Sequence, residues 1–134
     1  PQRQCTAENL HLMDVALQYF CGVGPECSRD TERRYEMALQ TLRTNYTFVG
    51  LTDRIELSMK VLKKLLPGFF TGADEILRRG SVTGKVTTPY PELTWAAAKM
   101  LMEYPGNKFI LKFWKDIETL FWEKVRDCGV EPTR

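Results

Sequence analysis

The sequence predicts an α/β fold, mostly helical with at least one buried strand, and three stretches carry that prediction. Residues 46–51, YTFVGL, are aromatic and β-branched, which suits a strand buried on both faces. Residues 53–66 open on Asp53 with Glu56 at capping-box spacing, and place Ile55, Met59, Leu62 and Leu66 on one helical stripe. Residues 108–127 repeat Phe109, Ile110, Phe113, Trp114, Ile117, Leu120, Phe121 and Val125 at helical spacing, as a long helix with one packing face does.

The remaining elements follow in order. Residues 5–18 are mixed, with weak helical or extended character. Residues 30–44 are helical in pattern, with Tyr35, Ala38, Leu39 and Leu42 forming an apolar stripe among arginines and glutamates. Pro67 stops the helix that begins near Asp53, because its nitrogen carries no hydrogen to donate. Gly68 and Gly72 bracket Phe69 and Phe70, and a short helical turn follows over residues 73–79. Residues 78–91, RRGSVTGKVTTPYP, form the clearest loop. Residues 92–103 are helix-forming and alanine-rich, and Pro105, Gly106 and Asn107 then break the chain and cap the last helix.

A length of 134 residues fits one domain, and 43% hydrophobic with 27% charged residues fits a globular chain rather than a disordered one. The net charge of +2 does not by itself argue for a polyanion, so local patches must do that work. No apolar run approaches a membrane span, and nothing at the start resembles a signal peptide. The chain begins at Pro1 rather than Met, so it reads as processed or trimmed, with any targeting segment outside it.

Cys21 and Cys27 flank a tight loop in FCGVGPEC, and the first reading is a small disulfide ring formed in an oxidising compartment. Two reduced buried thiols are the alternative. Zinc is disfavoured, since His11 is the sole histidine and has no second ligand pair at zinc spacing. No metal is expected. Cys5 and Cys128 are left over, to pair with each other or, for Cys5, with a segment upstream.

The loop at 78–91 has the composition of a phosphate cradle. Gly80 and Gly84 free the backbone, Arg78, Arg79 and Lys85 bring charge, and Thr83, Thr87 and Thr88 bring hydroxyls. A solvated connection has the same composition, and no self-contained nucleotide fingerprint is present. Arg29, Arg33 and Arg34 form a second basic group, read first as a solvated helix end. The carboxylates Glu32, Glu36, Asp53, Glu56, Asp116 and Glu118 read as solvated faces or caps. Asn45-Tyr46-Thr47 is an N-glycosylation acceptor, expected to be poorly accessible beside a buried strand.

Several short strings resemble the uronyl 2-O-sulfotransferases, which sulfate heparan, chondroitin or dermatan chains. They are CTAENL from Cys5, FCGVGPEC, VGLTD, LLPGFFTGA and the KVTTP loop, in the family's order, followed by the closing aromatic helix. The resemblance runs from Cys5 to about Asp127. It implies the C-terminal part of a P-loop-like sulfotransferase fold, with residues 1–134 a single domain or a fragment. It also implies a donor, 3′-phosphoadenosine 5′-phosphosulfate, and a sulfated glycan acceptor. A Golgi-lumenal or secreted location and a homo-oligomer are implied too, with no nucleic acid partner.

The family's donor P-loop, catalytic histidine and 3′-phosphate motif belong to its first half, which this chain lacks, so no catalytic residue is assigned and His11 receives no role. Lys85, Thr87 and Thr88 match the late loop that folds over the donor nucleotide. The resemblance implies that Arg79 and Lys85 border the glycan cleft. Cys21 and Cys27 match a structural disulfide, and Cys5 matches a cysteine whose partner lies upstream in the missing half. Two rivals stand beside this reading: a non-catalytic secreted module that binds a sulfated glycan or a protein, and a helical interaction domain built on residues 109–125.

Overall fold

The computed structural model describes residues 15–28, 30–79 and 94–131. They form α1 (Val15–Cys21), α2 (Thr31–Asn45), α3 (Ile55–Leu65), α4 (Pro67–Phe70), α5 (Ala73–Arg78), α6 (Trp95–Glu103) and α7 (Asn107–Asp127). Single 3₁₀ turns lie at Pro25–Ser28 and Thr52–Arg54. Among the described residues there is no strand. The chain divides into two compact units, Pro1–Thr47 with Pro91–Asp116, and Phe48–Tyr90 with Ile117–Arg134. Helix α7 therefore gives residues 107–116 to the first unit and 117–127 to the second.

In the first unit α2 starts where the sequence places it. Asp30 is extended, and its Oδ1 accepts from the Arg33 amide at 2.7 Å, satisfying one of the helix's unpaired N-terminal donors. The helix buries Tyr35, Ala38 and Leu42, three of the four residues of the expected stripe, while Leu39 is half-buried. Leu17, Ile110 and Phe113 complete the core, and the Phe20 ring packs between Tyr46 and Phe113 at centroid distances of 5.4 and 5.8 Å. Gly106 turns the chain into α7. Its carbonyl accepts from the Phe109 and Ile110 amides, and a Cβ there would stand 2.7 Å from Tyr104 Cε1.

Two expectations are corrected. Residues 46–51 are extended, as Tyr46 (φ −111°, ψ 124°) and Leu51 (φ −104°, ψ 132°) show, but they form no buried strand. None of the six is buried, and among the described residues no second strand completes a ladder. A strand is stabilised by its partner's hydrogen bonds, so aromatic and β-branched residues alone leave this segment simply extended.

The start and buried face of α3 also differ. Asp53 lies in the 3₁₀ turn beside Arg54, 3.8 Å away, and no side chain caps the helix. Ser58 serves that junction instead. Its Oγ accepts from the Leu51 amide at 3.0 Å and donates to the Leu51 carbonyl at 3.1 Å, clamping the extended segment to the helix. The buried residues of α3 are Leu57, Ser58 and Val61, not Ile55, Met59, Leu62 and Leu66, of which Leu66 is exposed. Apolar residues line both sides of this helix, so periodicity alone does not choose between them.

Leu57 and Val61 join Phe121 and Val125 in the second core, against which Phe48, Leu51, Leu65, Trp122, Cys128 and Val130 pack. Each such apolar side chain contributes about 2 kcal/mol on burial. Exposed pairs such as Arg33–Glu36 and Lys99–Glu103 contribute about 0.5 kcal/mol or less, so the cores hold these units. Pro67 ends α3 and opens α4 at the position where its missing amide hydrogen costs nothing.

Candidate functional site

The loop that carries the expected donor and glycan contacts is entered from α5. Gly72 precedes that helix with φ +83°, a left-handed conformation in which glycine is favoured. Arg79 closes the helix with its amide donating to the Glu75 carbonyl, and its guanidinium meets Glu75 Oε1 at 2.7 Å. The side chain remains largely exposed. An exposed pair of this kind is weak, so Arg79 can exchange Glu75 for another anion at small cost. Lys85, Thr87 and Thr88 lie outside the described residues, as do Cys5 and His11.

The disulfide joins Cys21 and Cys27, closing the loop between α1 and α2 with a Cα separation of 5.7 Å. Arg34 Nε donates to the Cys27 carbonyl at 2.7 Å, tying α2 to that loop. Arg33 pairs with Glu26 at 3.8 Å and Glu36 at 3.1 Å. Both arginines thus serve the local scaffold, and Arg29 lies outside the described residues. Cys128 is a half-buried free thiol in the second core.

Asn45 is the last residue of α2, and it is exposed together with Tyr46 and Thr47. The buried strand expected to shield this glycosylation acceptor is absent, and the acceptor stands open. Its side-chain Oδ1 accepts from Thr44 Oγ1 at 3.0 Å. No group of three or more potential metal ligands occurs among the described residues.

Two features of the first unit escape a reading of the sequence. The first is a part-buried polar pair in which Tyr35 Oη donates to Asp116 Oδ2 at 2.6 Å. Burial and this bond hold the phenol above its ordinary range, with Lys112 opposing. The second is a row of exposed lysines on α7, Lys108, Lys112 and Lys115. Lys108 Nζ stands 4.6 Å from the Phe109 ring centroid, and Lys112 Nζ stands 4.8 Å from that of Tyr35. The signal for the pair was a tyrosine on a buried stripe, which needs a partner for its hydroxyl. The signal for the row was lysine at helical spacing opposite the aromatic stripe.

A mostly helical chain with a disulfide-closed loop and the VGLT and LLPGFFTGA strings is a homologue of the uronyl and heparan sulfate 2-O-sulfotransferases. It is 32% identical to the uronyl 2-sulfotransferase of Homo sapiens over 123 residues, which is 86% of this chain and 29% of that protein. It is 36% identical to the heparan sulfate 2-O-sulfotransferase 1 of Gallus gallus over 77 residues, 57% of this chain and 21% of that protein. The chain therefore spans less than a third of the length of these relatives. No protein-family model matches it, and no solved structure matches it.

Proposed function

We propose that this chain is the C-terminal region of a uronic acid 2-O-sulfotransferase-like protein, supplying a helical scaffold and a capping loop but not the catalytic base. The observation that carries the reading is 32% identity to a uronyl 2-sulfotransferase across 86% of the chain. In the complete protein, 3′-phosphoadenosine 5′-phosphosulfate would supply the sulfuryl group and a hydroxyl of a sulfated glycan would accept it. Lys85, Thr87 and Thr88 hold the donor's phosphates through one point charge and two hydroxyl donors. Arg79 and Lys85 face the acceptor's anionic groups, and the positive charge there stabilises negative charge that builds up in transfer. The catalytic base and the donor's P-loop come from the upstream half of the same protein, whose fold is of the P-loop-like sulfotransferase type.

The Cys21–Cys27 disulfide supports a compartment that keeps thiols oxidised, and a Golgi-lumenal or secreted location agrees with that. Calorimetric titration of the chain joined to its upstream half with 3′-phosphoadenosine 5′-phosphate tests the reading. Saturable binding that Lys85→Ala weakens about tenfold is the expected result. Equal affinity in wild type and Lys85→Ala removes Lys85 from the donor site, and no binding by either overturns the sulfotransferase reading.

A further inference from the structure

The solvated side of α7 in the first unit carries a cation row that the donor loop does not account for. Lys108, Lys112 and Lys115 stand at i, i+4 and i+7, so they share one side of the helix, while Ile110 and Phe113 on the other side are buried. At the helical rise per residue the row is about 10 Å long. All three side chains are exposed. Lys108 and Lys112 lie over the Phe109 and Tyr35 rings and form no ion pair with a described residue.

That distinguishes Lys108 and Lys112 from Arg33, Arg54, Arg79 and Lys99, each of which has a carboxylate partner. A ring face positions an ammonium without cancelling its charge, whereas a carboxylate cancels it. Asp116, one turn beyond Lys112, has its Oδ2 engaged by the Tyr35 hydroxyl.

We propose that this side of α7 binds a sulfated polysaccharide, with the three ammoniums set against successive sulfate and carboxylate groups of one chain. The inference rests on the reading that the complete protein works on a sulfated glycan. Charge complementarity favours this occupant, because a row of exposed cations, two of them set over aromatic rings, suits a linear polyanion.

Binding of the full chain to an immobilised heparin oligosaccharide, measured across salt concentrations, tests it. Lys108→Gln, Lys112→Gln and Lys115→Gln together should lower affinity about tenfold or more at near-physiological salt and flatten the salt dependence. The triple Lys→Arg variant should keep it. A charge-matched control, Arg43→Gln with Lys60→Gln and Lys63→Gln, should change affinity by about twofold or less. A circular dichroism spectrum identical to wild type shows that each variant is folded. Undiminished heparin binding by the triple Gln variant, or an equal loss in the control, overturns the row and leaves the glycan reading standing. No heparin binding by the wild type defeats both. A loss of affinity for phosphatidylserine vesicles, with heparin affinity unchanged, also overturns the proposal and assigns the row to a membrane surface.

Discussion

Tyr35 Oη donates to Asp116 Oδ2 across 2.6 Å and joins residues 81 positions apart in the chain. The phenol lies in the first core, where its ring also meets Phe109 and Phe113 at centroid distances of 6.0 and 6.5 Å. Burying a hydroxyl without a partner costs more than the bond returns in water, so the acceptor on α7 is what allows tyrosine here. The bond therefore fixes α2 against the first part of α7.

Tyr35→Phe keeps the ring and removes the donor to a charged acceptor. It should lower stability by about 2 kcal/mol, read from the urea midpoint, with the helical signal unchanged. A cost below about 0.5 kcal/mol would show that water replaces the hydroxyl freely.

The same residue gives a pH dependence. Burial first, and then the Asp116 bond, raise the folded phenol above its ordinary value of 10.0. The folded state keeps this proton where the unfolded state releases it. The contribution to stability is full below pH 10.0 and is lost as pH rises through the folded value. Wild type should thus lose stability faster than Tyr35→Phe above that pH, and parallel curves would contradict it.

Ser58 makes a second separable contribution. It is buried at 2% exposure, and its hydroxyl both accepts from and donates to the Leu51 backbone. Ser58→Ala leaves the Leu51 amide without that acceptor. The expected cost is about 1–2 kcal/mol, with faster hydrogen exchange at the Leu51 amide. Gly50→Ala probes the same junction from the other side, since its Cβ would stand 3.1 Å from both Ser58 Cβ and Oγ. The two substitutions should couple rather than add, because the smaller alanine at 58 relieves part of the crowding.

How far the fold was legible follows from these residues. Helices α2 and α7 were readable because each has one apolar side and a distinct end, Asp30 at one and Gly106 at the other. The face of α3 was not, because Ile55, Met59 and Leu62 are as apolar as Leu57, Val61 and Leu65. Residues 46–51 have the composition of a strand, but pairing is a non-local property and no partner lies among the described residues. Ser58 and Asp116 were hidden for a related reason: their partners are set by packing, not by spacing along the chain. Of the expected site, Arg79 and the Cys21–Cys27 pair are placed, while Lys85, Thr87 and Thr88 lie outside the described residues.

The disulfide gives a further test. Cys21 and Cys27 are six residues apart, so the bond closes a short loop and removes a modest part of the unfolded chain's freedom. Replacing both by serine should cost about 2 kcal/mol on the loop-entropy model. Arg34 still reaches the Cys27 carbonyl in that variant, so α2 should remain helical while the loop between α1 and α2 loosens. Limited proteolysis cutting within residues 22–28 of the variant but not of wild type is the expected signature. Equal resistance would mean that Arg34 and the first core hold the loop without the bond.

The C-terminal end of α7 offers the last test, because its geometry constrains one residue type. Gly129 has φ +58°, its amide donates to the Arg126 carbonyl at 2.9 Å, and the Val130 amide donates to the Val125 carbonyl at 3.0 Å. These two bonds satisfy carbonyls that the helix end leaves unpaired, and Val130 packs against the second core beside Val125. Lys64 Nζ donates to the Gly129 carbonyl at 3.2 Å, so α3 anchors the same turn. Space is not the constraint, since a Cβ on Gly129 meets nothing nearer than Lys64 Nζ at 3.9 Å. The cost of Gly129→Ala is then backbone strain alone, about 1 kcal/mol. Gly129→Asn, which tolerates the left-handed region better, should recover part of it. A loss of more than about 3 kcal/mol in the alanine variant would mean that Val130 leaves the core when the turn is strained.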